Sequence, residues 1–447
     1  MDIATTAAVV MIVGVVVTLI LGFPIGLSIG ASSTAAMMVI LGFGSAALTT
    51  AAQRTFTGAN SFSLLAIPFF VLAGNIMNNG GIAKRLIGCA NIFAHRLPGH
   101  LAQTNIVANM LFGAVSGSGV AAASAMGGIL RPLEEEEGYT PEYSAAVNIA
   151  SGPTGMMIPP SNIMIVYATV AGSVSVTALF MAGYIPGILW GLGCMIVAGF
   201  TAKKNGYISK EHYTMKRALR TLWDGLPSLL LIVIVIGGIL GGVFTATEGS
   251  AIAVCYSLLL SAIYRSIKIT DMPRILLDSV KTTAIVEFLV CVSSIMSWVL
   301  SFAKIPQMIS DGMLQLSENP IVILLIMNVI LLFVGTFMDP TPAVLIFTPI
   351  FLPIVQSFGM SAVHFGLMMV MNLCVGTITP PVGAILFAGC RIGDVKIEQI
   401  VKPLLPYFFV VVVCLLLVTY VPLFSMGIPY LLDLVTVGEG FNFFFIM

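Results

Sequence analysis

Long apolar runs separated by short polar or charged segments dominate the pattern of hydrophobic and polar positions along the chain. A helix that crosses a membrane needs roughly 20 consecutive apolar residues. Several runs are longer than this or are interrupted by Gly and Pro, so they do not fit single straight helices. The pattern predicts membrane segments near residues 4–22, 24–42, 62–79, 101–130, 144–171, 178–200, 226–245, 250–264, 283–303, 320–356, 363–390 and 404–424.

Composition places the chain in the same class. Hydrophobic residues make up 58% of its 447 positions and charged residues 9%, which is far from the composition of soluble domains. The formal net charge is zero, which gives no indication of nucleic-acid binding. We therefore predict an all-α polytopic membrane protein in contact with lipid. The 62–79 run fits either a kinked crossing or a re-entrant hairpin, and its periodicity does not decide between them.

One short motif occurs twice inside these apolar runs, as Gly155-Met156-Met157-Ile158-Pro159-Pro160 and as Gly376-Thr377-Ile378-Thr379-Pro380-Pro381. A Pro-Pro pair removes two backbone donors and cannot continue a regular helix. Irregular backbone at membrane depth is tolerated only where protein buries it or where it lines a cavity. Freed carbonyl groups are good ligands for a small cation. Both motifs are therefore predicted to form parts of a binding site.

The two halves of the chain match when the sequence is shifted by 221 residues. Matching positions fall mainly on Gly and Pro, and the shift pairs loops of different charge, the basic loop 84–100 with the acidic loop 305–320. Equivalent loops then lie on opposite sides of the membrane. Such a pattern is typical of inverted-topology repeats, in which secondary transporters bind substrate near the midplane between broken helices. The matches are Ala122 with Ala343, Ile129 with Ile350, Pro132 with Pro353, Gly138 with Gly359, Gly155 with Gly376, and Pro159-Pro160 with Pro380-Pro381.

Basic residues in short loops predict the cytoplasmic side. Four such segments are Lys84–Arg96, Lys203–Arg220, Arg265–Lys281 and Arg391–Lys402. The loop near 305–320, the turn near 172–177 and the tail after 424 carry few or no basic residues and are predicted to lie outside. The tail residues Asp433 and Glu439 are its charged groups.

Polar groups at membrane depth supply candidate chemistry. Ser116-Gly117-Ser118-Gly119 lies opposite Phe337-Met338-Asp339-Pro340 in the 221-residue shift. Close packing of small residues between helices is the alternative explanation for the first stretch. A carboxylate near the bilayer centre costs about 2.5 to 3.5 kcal/mol, so Asp339 is expected to pair or to face water, and as an alternative or in addition it caps the helix that begins Pro340-Thr341.

Oxygen atoms around these motifs suit sodium, a hard cation. The predicted sodium ligands are Ser116, Gly155, Ile158, Gly335, Gly376 and Thr379. The predicted substrate-binding candidates are Ser118, Asn148, Ser161, Asn162, Asp339, Thr341 and Asn372. For Asn148 and Asn372, hydrogen bonding between helices is an equally good explanation. The acidic run Glu134 to Glu137 is interpreted as a solvated loop, and Glu248 as a structural residue at a turn.

With these motifs in hand, the chain resembles the large membrane subunit of tripartite ATP-independent periplasmic (TRAP) transporters, the DctM-like family. The resemblance covers essentially the whole chain and includes Phe62–Phe70, Ser116–Gly119, Ile158–Ser161, Thr245–Glu248, Met338–Pro340, Thr348–Ile350 and Gly376–Gly383. It implies sodium-coupled uptake of organic acids by an elevator-type motion. It also implies two protein partners, a small four-helix membrane subunit and a periplasmic binding protein that delivers the substrate. The chain departs from the family pattern at Arg131-Pro132-Leu133 and the following four glutamates, and at Asn162.

We therefore predict the large subunit of a sodium-coupled transporter that imports a small carboxylate across the bacterial inner membrane. It is not expected to be an enzyme or to hold a cofactor beyond sodium as the coupling ion, since the sequence has no HExxH cluster and no GxxxxGK[ST] loop. A stand-alone dicarboxylate/sodium symporter is the alternative, and a passive channel is a further one. The predicted domains are scaffold helices 1–60, a first repeat 61–200, a cytoplasmic loop with scaffold helices 201–281, a second repeat 282–424 and a tail 425–447.

Overall fold

The computed structural model describes residues 3–172, 174–207, 215–317 and 319–435, and those residues form an all-helical fold without strands. In the first half the helices are α1 Ile3–Ile20, α2 Ile25–Leu41, α3 Ser45–Ala59, α4 Ala66–Asn79, α5 Ile82–Ala94, α6 His100–Ser116, α7 Gly119–Glu136, α8 Pro141–Ser151, α9 Thr154–Met157, α10 Asn162–Ala171 and α11 Val176–Asn205. In the second half they are α12 Met215–Leu240, α13 Ala246–Ile263, α14 Met272–Phe302, α15 Ile305–Leu316, α16 Pro320–Gly335, α17 Pro340–Ser357, α18 Ala362–Gly376, α19 Ala384–Gly393, α20 Ile397–Tyr420 and α21 Leu423–Leu431. Short 3₁₀ turns occupy Phe62–Leu65 and Ile269–Asp271.

Four of the predicted long segments are broken helices. The 101–130 run divides into α6 and α7, 144–171 into α8, α9 and α10, 320–356 into α16 and α17, and 363–390 into α18 and α19. Each break coincides with Gly or Pro, and both Pro-Pro peptide bonds, Pro159-Pro160 and Pro380-Pro381, are cis. Short apolar stretches of this kind leave backbone groups that only the protein interior or a cavity can accept.

The sequence pattern assigned most of α21 to the tail after 424, and it missed three helices entirely, α3, α5 and α15. They mix polar with apolar residues on separate faces, so an apolar-run criterion passes over them. Helices α12 and α14 also begin well before the predicted segments, because basic and acidic residues at their starts continue the helix beyond the apolar part. The Phe62–Asn79 stretch, a 3₁₀ turn followed by α4, is one of eight helices in the described chain long and apolar enough to cross a membrane.

Loop contacts group the segments at two ends of the molecule. At one end, the Gly99 N–H donates to the Tyr207 carbonyl at 3.0 Å, and the Ser266 hydroxyl donates to the Gly80 carbonyl at 2.6 Å. The guanidinium of Arg131 reaches the Ile392 carbonyl at 2.6 Å. These contacts connect the basic segments in pairs. Lys210, Glu318 and Glu439 lie outside the described residues, and the side of the membrane stays a prediction.

The other end gathers the weakly charged loops. The Tyr167 hydroxyl donates to the Ala362 carbonyl at 2.6 Å. The Tyr420 hydroxyl donates to the Ile321 carbonyl at 3.0 Å. Helix α10 therefore meets the start of α18, and the end of α20 meets the start of α16, away from the basic segments.

Helix boundaries recur with the spacing found in the sequence. Helices α7 and α17 each contain 18 residues, and their starts, Gly119 and Pro340, lie 221 positions apart. The same offset separates the starts of α8 and α18 and the starts of α11 and α20. Three helix starts of the first half thus recur at the same spacing in the second half.

One interpretation of the sequence is wrong. The acidic run is not a solvated loop, since α7 continues to Glu136 and turns the Glu134 side chain inward, leaving it 1% exposed. Glu135 and Glu136 remain exposed. Helical periodicity within the run separates one buried glutamate from its exposed neighbours, which composition alone does not reveal. Glu248 does occupy a structural position, because its carboxylate accepts hydrogen bonds from the N–H and hydroxyl of Thr245 at the start of α13.

Candidate functional site

The break between α6 and α7 is made by Gly117, whose φ of 60° lies in the left-handed region. Glycine adopts this conformation without the steric penalty of a side chain. The chain then restarts as α7 with Ser118 as its N-cap, and the Ser118 hydroxyl accepts a hydrogen bond from the Ala121 N–H at 3.3 Å. Ser116 ends α6, so both serines lie at the junction.

The equivalent break in the second half lies between α16 and α17. Asp339 is the N-cap of α17, and its carboxylate accepts a hydrogen bond from the Thr341 N–H at 3.2 Å. This confirms the capping role that the sequence allowed for Asp339. The side chain remains exposed at the cavity described below, so the cap does not consume both carboxylate oxygens.

The first Pro-Pro motif frees backbone carbonyls next to this junction. A helical carbonyl normally accepts from the N–H four residues later, and for Gly155 and Met156 those residues are Pro159 and Pro160, which have no N–H. The Ser161 hydroxyl replaces one missing donor by bonding the Met156 carbonyl at 2.6 Å. The Gly155 carbonyl has no such helical donor, because the Ile158 N–H is used by the Thr154 carbonyl at 2.9 Å.

The second motif satisfies its carbonyls differently. The Gly376 carbonyl accepts from the Thr379 N–H at 3.0 Å, and the Thr377 carbonyl accepts from the N–H groups of Ile385 and Leu386 at 3.1 Å. The Thr379 hydroxyl donates to the Val375 carbonyl at 2.7 Å. Its oxygen therefore keeps lone pairs that can accept a cation.

Pairs of glycines bring each motif against the preceding helix. A Cβ atom at Gly155 would collide with the backbone of Gly113 in α6. A Cβ atom at Gly376 would lie 2.5 Å from the Cα and 2.7 Å from the carbonyl oxygen of Gly335 in α16. The absence of side chains lets backbone oxygens from two segments approach one another, as a backbone cation site requires.

A cavity of about 810 Å³ lies between the two helix breaks. Five helix N-termini open onto it, those of α2, α7, α10, α17 and α19, and α4 and α14 complete its wall. Among the described residues that line it, Asp339 is charged and there is no basic side chain. Helix N-termini carry partial positive charge and present free N–H groups. The cavity therefore combines an anion-attracting backbone with one carboxylate.

The predicted site residues divide into two groups. Those that line the cavity are Ser116, Ser118, Asn162, Asp339 and Thr341. The remaining sodium candidates, Gly155, Ile158, Gly335, Gly376 and Thr379, lie in the helix breaks behind that wall, and Ser161 is bonded to the backbone there.

Asn148 and Asn372 lie away from the cavity lining and bond between helices. The amide of Asn148 donates to the Ala123 carbonyl at 2.8 Å and accepts from the Asn109 amide at 3.2 Å. The amide of Asn372 donates to the backbone and side-chain oxygens of Asn328 at 2.9 and 2.7 Å. Both side chains therefore fit the structural alternative that the sequence left open.

The predicted site residues did not include three polar residues that line the cavity, Asn75, Thr282 and Thr377. Asn75 donates to the Ser279 hydroxyl at 2.8 Å and so connects α4 to α14. The available signal for Asn75 was a side-chain amide inside the apolar 62–79 run. Thr377 lies within the second Pro-Pro motif, but its neighbours Gly376 and Thr379 were the residues predicted there as sodium ligands.

By its fold and its site, the chain is a polytopic membrane transport protein whose central cavity lies between two broken helices. Comparison with known proteins gives the particular family. The model for the DctM component of the tripartite ATP-independent periplasmic transporter matches residues 12–424, and the chain belongs to that family. It is accordingly a transporter permease component and a multi-pass protein of the inner membrane.

Curated relatives agree with this assignment. The chain is 54% identical over 415 residues to the uncharacterized protein YgiK of Salmonella typhimurium, covering 93% of this chain and 95% of the relative. It is 38% identical to the isethionate TRAP transporter permease protein DctMQ of Oleidesulfovibrio alaskensis, covering 91% of this chain and 64% of that protein. It is 34% identical to the sialic acid TRAP transporter large permease protein SiaM of Vibrio cholerae, covering 92% and 95%.

A solved structure shares the fold at low sequence identity. The Neisseria gonorrhoeae protein MtrF, whose structure is described as illuminating a class of antimetabolite efflux pumps, aligns with a TM-score of 0.62 and 14% identity. The alignment covers 90% of this chain and 95% of MtrF. At this identity the similarity concerns the fold alone.

Proposed function

We propose that this chain is the large subunit of a sodium-coupled transporter that imports a small organic acid. The observation that carries the proposal is the cavity between two helix breaks, where helix N-termini and Asp339 meet and the oxygens of the two motifs lie behind the wall. An organic anion and a cation need opposite partial charges close together, and this arrangement supplies both. Family membership adds the transport role.

Sodium is proposed to bind at the two motifs, one set of ligands in each half. The first set is Ser116, Gly155 and Ile158, supported by the Gly155 carbonyl that lacks a helical donor. The second set is Gly335, Gly376 and Thr379, supported by the close approach of Gly376 to the Gly335 carbonyl. Backbone and hydroxyl oxygens are suitable ligands for a hard monovalent cation.

The substrate carboxylate is proposed to lie in the cavity, against Ser118, Asn162 and Thr341. No basic side chain lines the described cavity wall, so the N-termini of α7, α10 and α17 would supply the attraction for the anion. Sodium would offset the negative charge of Asp339. The apolar part of the substrate would contact wall residues such as Met156 and Phe288.

The transport motion is proposed to be of the elevator type on two inverted-topology repeats. Two observations support the repeat: helix starts that lie 221 positions apart, and the location of equivalent loops at opposite ends of the molecule. Broken helices around a midplane site are the usual construction of such transporters.

Two protein partners are proposed, a small four-helix membrane subunit and a periplasmic binding protein. About a third of the isethionate relative lies outside the matched part, since the chain spans 64% of it. Relatives named for isethionate and for sialic acid differ in substrate, so the family leaves the substrate of this chain open. A stand-alone symporter is the second candidate.

The test is uptake of labelled organic acids into proteoliposomes that contain this chain, with and without an inward sodium gradient. The small subunit and the binding protein are added one at a time. Uptake that requires sodium and both partners is the expected result. Uptake by this chain alone would favour the stand-alone symporter, and uptake that ignores sodium would contradict the coupling.

A further inference from the structure

The last turn of α7 buries one carboxyl group of its acidic run. Glu134 is 1% exposed, whereas the two residues that follow it, Glu135 and Glu136, face solvent. The position lies beyond the predicted 101–130 crossing, at the end of the molecule that holds the basic segments. Burial raises the pKa of Glu134 to about 7, although the nearby polar side chains of Ser144 and Asn105 lower it.

Polar atoms without hydrogen-bond partners in the described chain surround this carboxyl. They are Oε1 of Glu134, Nδ2 of Asn105, Oγ of Ser144 and the hydroxyl oxygens of Tyr139 and Tyr407. Native interiors rarely leave such groups unsatisfied. The carboxyl is therefore surrounded by neutral polar groups, which can hydrogen-bond its protonated form as well as its ionised form.

The charged groups near Glu134 do not compensate its negative charge. Glu135 and Glu137 both raise its pKa further. The guanidinium of Arg131 is 2.7 Å from the Glu135 carboxylate, and His100 of α6 lies 3.3 Å from Glu137.

The other elements around the site contribute neutral or distant groups. From α8 and α20 the titratable neighbours are the phenols of Tyr143, whose pKa is raised by burial, and of Tyr407. On α19, Arg391 is exposed, and on α5 the ring of His95 contacts the Ile92 carbonyl at 2.7 Å. The carboxyl therefore lies in a buried polar cluster with acidic and phenolic neighbours.

We propose that Glu134, Asn105 and Ser144 form a proton-binding site at the joint of α6, α7 and α8, which the folded protein fills as the pH on that side of the membrane falls. The proposal stands independently of the transported substrate. The ordinary pKa of a Glu is 4.5, and the folded value is higher. Between pH 4.5 and about 7 the folded state therefore binds more protons than the unfolded state. The free energy of unfolding falls as the pH rises through this range.

The direct test is an infrared difference spectrum of the purified full chain in lipid nanodiscs, recorded across a pH series on both sides of 7. The C=O stretch of a protonated carboxylic acid reports the proton itself. We expect the wild type to lose this band as the pH rises. Glu134→Gln lacks the band, and the matched control Glu136→Gln, the same substitution at an exposed position two residues away, keeps it.

Ser144→Ala provides a second variant that retains the acid. Because the Ser144 hydroxyl lowers the pKa of Glu134, its removal is expected to move the midpoint of band loss to higher pH. A purely structural role for Ser144 would leave that midpoint unchanged. A wild-type band that is absent throughout, that does not respond to pH, or that persists in Glu134→Gln would overturn the proposal.

Discussion

Gly376→Ala tests whether close backbone contact at the second motif is required. The new methyl group would lie 2.5 Å from the Cα of Gly335 and 2.7 Å from its carbonyl oxygen. Ordinary contact begins near 3.4 Å, so α16 and α18 would have to separate by roughly 1 Å. Both sides of the contact are backbone, and no side-chain rotation can relieve the collision.

The expected cost follows from this geometry. Overpacking a dense interior costs about 1 to 3 kcal/mol, and the rigid backbone on both sides places Gly376→Ala at the upper end. The separation would also move the proposed sodium ligands Gly335 and Gly376 apart. We expect a lower unfolding temperature and a loss of sodium-driven uptake of at least about tenfold, equivalent to about 1.4 kcal/mol.

The assay compares thermal unfolding in detergent with uptake in proteoliposomes at several sodium concentrations. Gly128→Ala is the matched control, since its Cβ would meet nothing within 4 Å on the exposed face of α7. We expect the control to behave like the wild type or to be slightly more stable, because Ala favours a helix over Gly. Wild-type stability and uptake in Gly376→Ala would refute the close-contact argument.

Three further predictions address the neighbouring assignments. Asp339→Asn and Thr379→Ala should each reduce sodium-driven uptake by at least about tenfold. The Asp339→Asn protein should remain folded, because Asn caps a helix as well as Asp does. Unchanged uptake in both variants would contradict the site assignment. Asn372→Leu should cost about 1 kcal/mol of stability by removing its bonds to Asn328 without changing the KM of uptake, and a raised KM would restore its role as a substrate ligand. Thr245→Ala removes the cap of α13 and should cost about 1 kcal/mol with uptake unaltered, as thermal unfolding and transport assays can check.

The buried acid shows where sequence reasoning fails for a physical reason. Four consecutive glutamates were interpreted as a solvated loop. In a helix, however, each side chain points in a different direction. Packing of α6 and α8 against α7 decides which of the four is buried. The polar residues Asn148 and Asn372 show the same dependence. The side-chain amide of an Asn in an apolar run can bond either to a neighbouring helix or to a ligand. Asn148 bonds to Asn109 and Asn372 bonds to Asn328, so both have a helix as their partner.

The sequence by itself determined the membrane class, the family, and the location of the helix breaks. Those properties depend on local chemistry: apolar length, missing N–H groups in Pro-Pro pairs, and glycines that admit unusual backbone angles. Only the tertiary structure decided which residues share the cavity. Ser118, Asn162 and Asp339 are distant in sequence and meet because helix N-termini from both halves converge, and such convergence depends on long-range packing that no local pattern encodes.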